Sequence, residues 1–172
     1  MSLFSQLIPH QGIALDLACG LGANSLYLAN LGLDTHAWDS SSVALKHLTK
    51  FANNQGLSIK TSLRDIENNP PEESSFDLIV VTNFLHRPIC KSINKALKPG
   101  GVLFYQTFLQ DKKSTAGPSS AKYLLSQNEL LSLFPDLTIL IYREVGTYSQ
   151  RIIKDQGELN GDTALLIGQK PI

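Results

Sequence analysis

The chain of 172 residues is 42% hydrophobic and 17% charged, and its 15 basic and 15 acidic side chains give a formal net charge of zero. This length is typical of one domain, so we expect residues 1–172 to fold as a single unit. A zero net charge provides no global field to hold a polyanion, which argues against nucleic acid as a partner.

Sequence features at the N-terminus and at the cysteines bear on location and metal binding. The first eleven residues contain no Lys or Arg, so the charged region of a secretory signal is missing. Apolar runs such as Leu78 to Val81 are far shorter than the roughly 18 residues that span a bilayer. Cys19 and Cys90 lack the spacing of a metal or redox pair. We therefore expect a cytoplasmic protein with no membrane partner and no metal.

Five short apolar runs predict strands in the first part of the chain. Between the second and third runs, apolar residues from Ala44 to Ala52 recur at helical spacing, and Gly56 follows as a stop signal. Strands that alternate with helical segments predict a parallel sheet covered by helices on both faces. The predicted strands are 13–17, 35–38, 58–62, 76–82 and 102–107.

A long polar loop and a short helix follow the fifth predicted strand. The loop from Leu109 to Leu125 is long by the usual loop-length statistics, and such loops are often lids or binding loops. Ser126 and Glu129 have the spacing of a capping box. They predict a helix that runs through Leu133 and ends at Pro135.

Two further strands are predicted near the end of the chain, at 137–145 and 164–169. We interpret them as an antiparallel pair at one edge of the sheet. The segment 146–162 between them is a surface excursion or a substrate cap. The predicted fold class is α/β, a Rossmann-like doubly wound sheet of about seven strands that is mostly parallel with an antiparallel C-terminal strand.

The most informative stretch is the turn from the first strand into the first helix, residues 16–25, with the sequence DLACGLGANS. Ligands of open parallel sheets bind beyond the carboxyl ends of the strands, where this turn lies. Gly20 and Gly22 let a ligand approach the backbone and permit positive φ. Asp16 ends a buried apolar strand, where a carboxylate is costly unless it meets donors. Those donors are a ligand's ammonium group or the backbone amides of the loop.

Two more acids follow the next two predicted strands. Asp39 stands 19 residues beyond Gly20, a spacing at which an acid accepts hydrogen bonds from the ribose of an adenosine ligand. Asp65 is placed to accept from an adenine amino group. The plainer alternatives are loop bracing for Asp16, a helix N-cap neighbour for Asp39 and a solvated turn for Asp65. NAD also fits this pattern, although Ser25 stands where its fingerprint has Gly or Ala.

These motifs resemble those of the class I S-adenosylmethionine-dependent methyltransferases. The segment from Asp16 to Gly22 is similar to their cofactor loop, and Phe76 to Ile79 resembles the start of their fourth strand. Leu97 to Gly101 resembles the turn before their fifth strand. Within the family, the chain is similar to the small-molecule branch that includes tellurite-resistance methyltransferases. The resemblance implies S-adenosylmethionine as the cofactor, a small-molecule acceptor and seven strands with the last one antiparallel.

The resemblance also implies cofactor-binding roles for residues at the ends of the first four strands. Ala18 departs from the family pattern, which usually has Gly at this position. Residues 1–12 are a shorter segment before the first strand than is usual, so we expect a short cover and an open cleft. The candidate cofactor-binding residues are Asp16, Ala18, Gly20, Gly22, Asn24, Asp39, Ser40, Asp65, Ile66, Asn83 and Phe84.

Candidates for the chemistry begin just after the fourth predicted strand. Methyl transfer from a sulfonium is an in-line displacement that depends on alignment and requires no metal or covalent nucleophile. His86 is the candidate catalytic base and substrate contact, with a loop-packing or helix-start histidine as the alternative. Arg87 is a candidate for holding an acidic substrate, with pairing to a surface carboxylate as the alternative. Phe108 and Tyr123 are candidates for the wall of the acceptor pocket.

The sequence therefore predicts S-adenosylmethionine-dependent methyl transfer to a small molecule. Two alternatives stay open. One is a cofactor-binding module without activity that needs a partner to complete its substrate pocket. The other is an NAD-dependent oxidoreductase, which Ser25, Asp16 and the predicted antiparallel strands disfavour.

Overall fold

Seven strands form one sheet in the computed structural model, which describes residues 2–146 and 162–172. The spatial order is β3-β2-β1-β4-β5-β7-β6, with strand numbers in chain order. Neighbours from β3 through β5 are parallel, and β7 is antiparallel to both β5 and β6. The predicted α/β doubly wound sheet is confirmed. The strands are β1 (Ile13–Leu17), β2 (Asp34–Asp39), β3 (Ile59–Leu63), β4 (Phe76–Thr82), β5 (Leu97–Phe108), β6 (Thr138–Val145) and β7 (Thr163–Gln169).

The structure corrects two details of the predicted strands. β5 starts at Leu97, five residues before the predicted start, because Leu97 pairs with Phe76 across an irregularity in the β4–β5 ladder. Gly101 lies inside this strand, where a Cβ would stand 2.9 Å from the carbonyl oxygen of Lys98. The late antiparallel pair is present, but the last strand enters between its partner and β5. Most of the predicted excursion at 146–162 lies outside the described residues.

The described residues form four α-helices and three short 3₁₀ turns around the sheet. The predicted second helix is present, and its N-cap Ser41 accepts a hydrogen bond from the Ala44 amide at 3.2 Å. The Ser126 amide donates to the Glu129 carboxylate at 2.8 Å, but the fourth helix starts only at Glu129 with Asn128 as its N-cap, so the predicted start at Ser126 is wrong. The helices are α1 (Ala23–Asn30), α2 (Ser42–Asn54), α3 (Cys90–Ala96) and α4 (Glu129–Leu133), and the turns are Ser2–Leu7, Arg87–Ile89 and Ala121–Tyr123.

Each face of the sheet buries its own hydrophobic cluster, because successive strand side chains point to opposite sides. One face, which we call the α1 face, packs Val80 and Phe104 against α1 and the N-terminal turn. The other, the α3 face, packs Ile79 and Tyr105 against α3 and α4. No helix among the described residues is both long and apolar enough to cross a membrane.

Candidate functional site

The loop between β1 and α1 turns tightly at the carboxyl edge of the sheet. The Cys19 amide donates to the Trp38 carbonyl at 3.0 Å, which ties the loop to the end of β2. Gly20 and Gly22 have φ values of +54° and +78°. A Cβ on Gly22 would lie 2.4 Å from the Leu48 side chain of α2, whereas a Cβ on Gly20 would meet nothing within 4 Å. The loop therefore packs closely behind Gly22 and leaves open space in front of Gly20.

The backbone conformation at Ala18 explains why the family pattern usually has Gly at this position. Its φ is +56°, in the left-handed region where a Cβ costs about 1–2 kcal/mol. Glycine is the residue that adopts this conformation without strain. The position therefore favours Gly on backbone grounds, and Ala18 retains the loop shape at an energetic cost.

The Asp39 carboxylate joins the glycine loop to the start of α2. Its Oδ2 accepts from the Gly20 amide at 2.8 Å, and its Oδ1 accepts from the Ser41 amide at 2.8 Å. The predicted alternative, an N-cap neighbour, is thus one of its observed contacts. A carboxylate offers about four lone-pair sites, so two bonds leave acceptors for the hydroxyls of a ligand. Ser40, also predicted for the cofactor site, is exposed beside it.

Asp16 is fully buried at the end of β1 and braces the first turn of α1. Its Oδ2 accepts from the amide of Ser25 at 2.9 Å and from the hydroxyl of Ser25 at 2.6 Å. Its Oδ1 is buried with no hydrogen-bond partner among the described residues. Burial raises the pKa of Asp16 to about 6, against hydrogen bonds from Ser25 that lower it. The free oxygen fits a ligand that carries a proton donor.

Asn24 and Asn83 connect the loop region to the ends of β4 and β5. The Asn24 amide group donates to the Thr82 hydroxyl at 3.1 Å, which links α1 to the end of β4. Asn83 follows with φ +56°, and its amide donates to the Gln106 carbonyl at 2.9 Å. The carbonyl of half-buried Phe84 accepts from the buried Tyr105 hydroxyl at 3.0 Å. These contacts fix the segment that follows β4.

Asp65 and Ile66 follow β3 at the same edge. Asp65 is exposed, and its carboxylate accepts from the Glu67 amide at 3.1 Å and from the Asn68 side chain at 2.7 Å. The hydrogen bond from Asn68 is the main cause that lowers the pKa of Asp65. The solvated-turn alternative therefore describes its contacts within the chain. Ile66 is buried and packs into the cluster of the α3 face.

Arg64 supports this turn and was not identified from the sequence. Its guanidinium lies 3.9 Å from the centre of the Trp38 ring. The same group donates to the carbonyls of Asn69 and Pro70, at 2.9 and 3.0 Å, and to Glu72 at 2.8 Å. An arginine directly before a candidate acid was the available signal, but its partners are set by the turn that follows.

His86 bridges the turns that follow β3 and β4. Its Nε2 lies 3.6 Å from the Glu67 carboxylate, and its side chain is 17% exposed. The Nδ1 atom is buried with no hydrogen-bond partner in the described part of the chain. The loop-packing alternative describes the contact with Glu67, and Nδ1 is the nitrogen that this contact leaves available.

Arg87 binds the long loop and α4. Its guanidinium donates two bonds to the Glu129 carboxylate, at 2.5 and 2.9 Å. It also donates to the carbonyls of Lys122 and Leu124, at 2.7 and 2.9 Å. Arg87 therefore has the role predicted as the alternative, which is pairing with a carboxylate. Its guanidinium donates its hydrogen bonds to groups of the chain itself.

The structure gives the four substrate candidates different contacts within the described part of the chain. Phe108 lies four residues beyond Phe104 on β5 and therefore on the same α1 face, where a Cβ on Gly117 would stand 2.7 Å from its ring. Tyr123 is 42% exposed and follows Lys122, whose carbonyl Arg87 binds. The candidates thus divide between Phe108 near one face and the cluster of His86, Arg87 and Tyr123.

The chain was compared with known proteins. A family model described as a methyltransferase domain matches residues 14–101. The curated Haemophilus influenzae protein named "Probable S-adenosyl-L-methionine-dependent methyltransferase TehB" is 33% identical over 136 residues, which cover 76% of this chain and 47% of that protein. The chain therefore spans about half the length of the curated relatives it matches.

Solved structures share the whole fold. Crystalline TehB from Haemophilus influenzae superposes with a TM-score of 0.78 at 26% identity, covering 96% of this chain and 59% of that one. The [4+2]-cyclase SpnF superposes with a TM-score of 0.76 at 18% identity, covering 99% and 80% of the two chains, a likeness of fold alone. On the family model and the 33% identical relative, the chain belongs to the S-adenosylmethionine-dependent methyltransferase family, whose cofactor is S-adenosylmethionine.

Proposed function

We propose that this chain transfers a methyl group from S-adenosylmethionine to a small-molecule acceptor. The observation that carries the proposal is a glycine loop held between two carboxylates that both keep unused acceptor sites. Asp39 fixes the loop through the Gly20 amide, and Asp16 fixes α1 through Ser25. A cationic, hydroxyl-rich ligand such as S-adenosylmethionine supplies the donors that these carboxylates lack.

The predicted site residues receive distinct binding roles in this proposal. Oδ1 of Asp16 accepts from the ammonium group of the amino-acid end, and Asp39 accepts from the ribose hydroxyls. Asp65 and Ile66 contact the adenine, by hydrogen bonding and by packing respectively. The backbone carbonyl of Asn83 accepts from the amino-acid end. The walls of the cofactor site are formed by the remaining predicted residues, which are Ala18, Gly22, Asn24, Ser40 and Phe84.

The reaction places modest chemical demands on the protein. S-adenosylmethionine supplies an activated methyl group on a positively charged sulfur when it is bound. The chain then aligns the acceptor with that group, and alignment can supply much of the acceleration. A neutral acceptor must also lose a proton, and Nδ1 of His86 is the proposed base. An acceptor that is already anionic at the reacting atom leaves His86 a role in packing alone.

Calorimetric titration with three ligands tests the proposal. S-adenosylmethionine and S-adenosylhomocysteine are expected to bind, and NADH is not. Tighter binding of NADH than of S-adenosylhomocysteine would favour the oxidoreductase alternative. Formation of S-adenosylhomocysteine is then followed with a panel of small thiols, amines and carboxylic acids. Cofactor binding without turnover of any acceptor would favour the silent binding module.

A further inference from the structure

A row of side chains crosses the half of the sheet that lies beyond the cofactor edge. Thr82 on β4 pairs with Gln106 on β5, Gln106 pairs with Leu165 on β7, and Leu165 pairs with Arg143 on β6. Side chains of paired residues point to the same side of a sheet. Because Leu165 belongs to the cluster of the α1 face, all four side chains lie on that face.

A small cavity lies over the part of this row formed by Thr82, Gln106 and Leu165, beneath the N-terminal turn, and Arg143 on β6 is not among its walls. Its volume is about 60 Å³, and its walls include Phe4, Thr82, Phe104, Gln106 and Leu165. A water needs roughly 10–15 Å³ of such space, so the cavity has room for a short aliphatic group. The walls are mostly apolar, and their polar groups come from Thr82 and Gln106. The cavity is much smaller than the roughly 300–1,000 Å³ of a typical ligand pocket, so it takes only a short apolar part of a ligand.

Arg143 differs from the other arginines that the structure describes. Arg64 and Arg87 each donate several bonds to carbonyls and a carboxylate. Arg143 is half-buried, its Nε is buried without a hydrogen-bond partner, and it forms no salt bridge within residues 2–146 and 162–172. The neighbouring Glu144 points to the opposite face, where it accepts from Tyr142. A buried donor without a partner is costly, so a ligand that pairs with Arg143 recovers that cost.

The Gln106 side-chain amide is likewise without a hydrogen bond within the described ranges, and it is half-buried two strands from Arg143. Strand spacing is about 4.8 Å, so β6 lies about 19 Å from β1 and its glycine loop. Arg143 therefore belongs to the half of the sheet that the cofactor residues do not occupy. A ligand at Arg143 is therefore separate from the cofactor residues, and the acceptor is the other ligand that the proposed function requires.

We propose that the Thr82–Gln106–Leu165–Arg143 row binds the methyl acceptor, and that this acceptor carries a carboxylate or phosphate group held by Arg143. The Gln106 amide hydrogen-bonds a second polar group, and the cavity takes a short apolar part. Arginine suits this role because its planar donors match the oxygens of either anion. The inference rests on the proposed function and names the substrate class for it.

Binding of three matched probes tests this site in the presence of saturating S-adenosylhomocysteine. The probes are butanoate, monobutyl phosphate and butanamide, with affinities measured by ligand-observed NMR. One of the two anions is expected to bind at least about tenfold more tightly than the neutral amide, since charge-assisted bonds are the stronger ones. The tighter anion identifies the group. Equal binding of all three probes, or binding of none, would overturn the proposal.

Variants then assign the binding to the row. Arg143→Gln is expected to weaken anion binding at least about tenfold, and Arg143→Lys is expected to weaken it by a smaller factor. Gln106→Leu is expected to weaken anion binding as well, independently of the substitution at Arg143. Lys46→Gln on α2 is the matched control, since it removes an exposed cation elsewhere, and it should leave the affinity unchanged. Anion binding by Arg143→Gln at the wild-type affinity would contradict the assignment.

Two further readouts separate the outcomes. Arg143→Gln should melt at the wild-type temperature or higher, because it removes an unpartnered buried donor, whereas a structural arginine would lower the melting temperature. S-adenosylhomocysteine affinity is measured on the same samples. Wild-type protein that binds S-adenosylhomocysteine but no anion rejects the acceptor site alone. Wild-type protein that binds neither rejects the proposed function with it.

Discussion

One oxygen of Asp16 accepts both the amide and the hydroxyl hydrogen of Ser25, nine residues further along the chain. This pair connects the end of β1 to the first turn of α1 and so sets the span of the glycine loop between them. The second oxygen of Asp16 stays buried without a partner in the described part of the chain. The carboxylate therefore braces the fold and, in the proposed function, also binds the cofactor, so its protonation should affect both.

The pH dependence of stability should report the burial of Asp16. Its carboxyl has a pKa of about 6 in the folded protein and an ordinary value near 3.8 when unfolded. Between these values the folded state holds a proton that the unfolded state has lost. The free energy of unfolding therefore falls as pH rises from about 4 to 6, by an amount on the order of 3 kcal/mol.

Urea unfolding of wild type and Asp16→Asn at several pH values isolates this contribution. The stability difference between the two proteins should change across pH 4 to 6 and stay constant above it. Asp34→Asn is the control, because the hydrogen bond from Lys60 lowers the pKa of Asp34 and gives the opposite sign. Parallel pH profiles for wild type and Asp16→Asn would show that Asp16 titrates normally.

Replacing Ala18 with Gly should relieve strain in the cofactor loop. Removal of a Cβ at φ +56° recovers about 1–2 kcal/mol, and the added freedom of the unfolded chain offsets about 0.4–1 kcal/mol. Ala18→Gly is therefore expected to be neutral or stabilising by up to about 1.6 kcal/mol in urea unfolding. Ala29→Gly inside α1 is the control and should destabilise by about 1 kcal/mol. Equal losses in the two variants would contradict the strain at Ala18.

Local sequence patterns predicted the bounds of those strands that end at a recognisable change in the sequence. β1 and β4 match the predicted bounds, because their apolar runs end where a glycine loop or a polar segment starts. β5 did not, since the Gly100–Gly101 pair has the appearance of a turn, whereas Gly101 lies in the strand against the backbone of Lys98. That close contact depends on tertiary packing, which a single sequence does not display.

The candidate site likewise contains residues that local patterns predict and residues whose partners depend on tertiary packing. Parallel strands bring their carboxyl ends to one edge, so three acids after three strands were predictable as neighbours of the glycine loop. The partner of Arg87 lies 42 residues away on α4 and could not be identified by spacing. The row that ends at Arg143 depends on β7 entering the sheet between β5 and β6. That strand order is set by long-range contacts.

The Arg87–Glu129 pair should hold the 109–125 loop in place. Arg87→Lys keeps the charge but loses the two-pronged bond and the donors to the Lys122 and Leu124 carbonyls. Because the pair is partly exposed, we expect Arg87→Lys to lower the free energy of unfolding by about 1–3 kcal/mol. Limited proteolysis should also cut the loop faster. Lys95→Ala breaks an exposed pair with Glu73 and should leave the cleavage rate of the loop unchanged. A wild-type cleavage rate for Arg87→Lys would show that the Arg87–Glu129 pair does not hold the loop.

His86 is expected to affect the rate and not cofactor affinity if it is the base. His86→Gln should lower the single-turnover rate by at least about a hundredfold with a neutral acceptor and leave the affinity for S-adenosylhomocysteine nearly unchanged. His47→Gln, on the exposed side of α2, is the control. A wild-type rate and pH profile for His86→Gln would limit His86 to its contact with Glu67.

Asp39 is the carboxylate whose loss should weaken cofactor binding most, if S-adenosylmethionine binds over the carboxyl ends of β1 to β4 as we propose. The two ends of β2 offer a matched pair, because Asp39→Ala changes the cofactor edge and Asp34→Ala changes the opposite edge. Calorimetric titration with S-adenosylhomocysteine should show at least about tenfold weaker binding to Asp39→Ala, since charge-assisted bonds to the ribose are lost. Asp34→Ala should bind as wild type does. An Asp39→Ala dissociation constant equal to that of wild type would contradict the account.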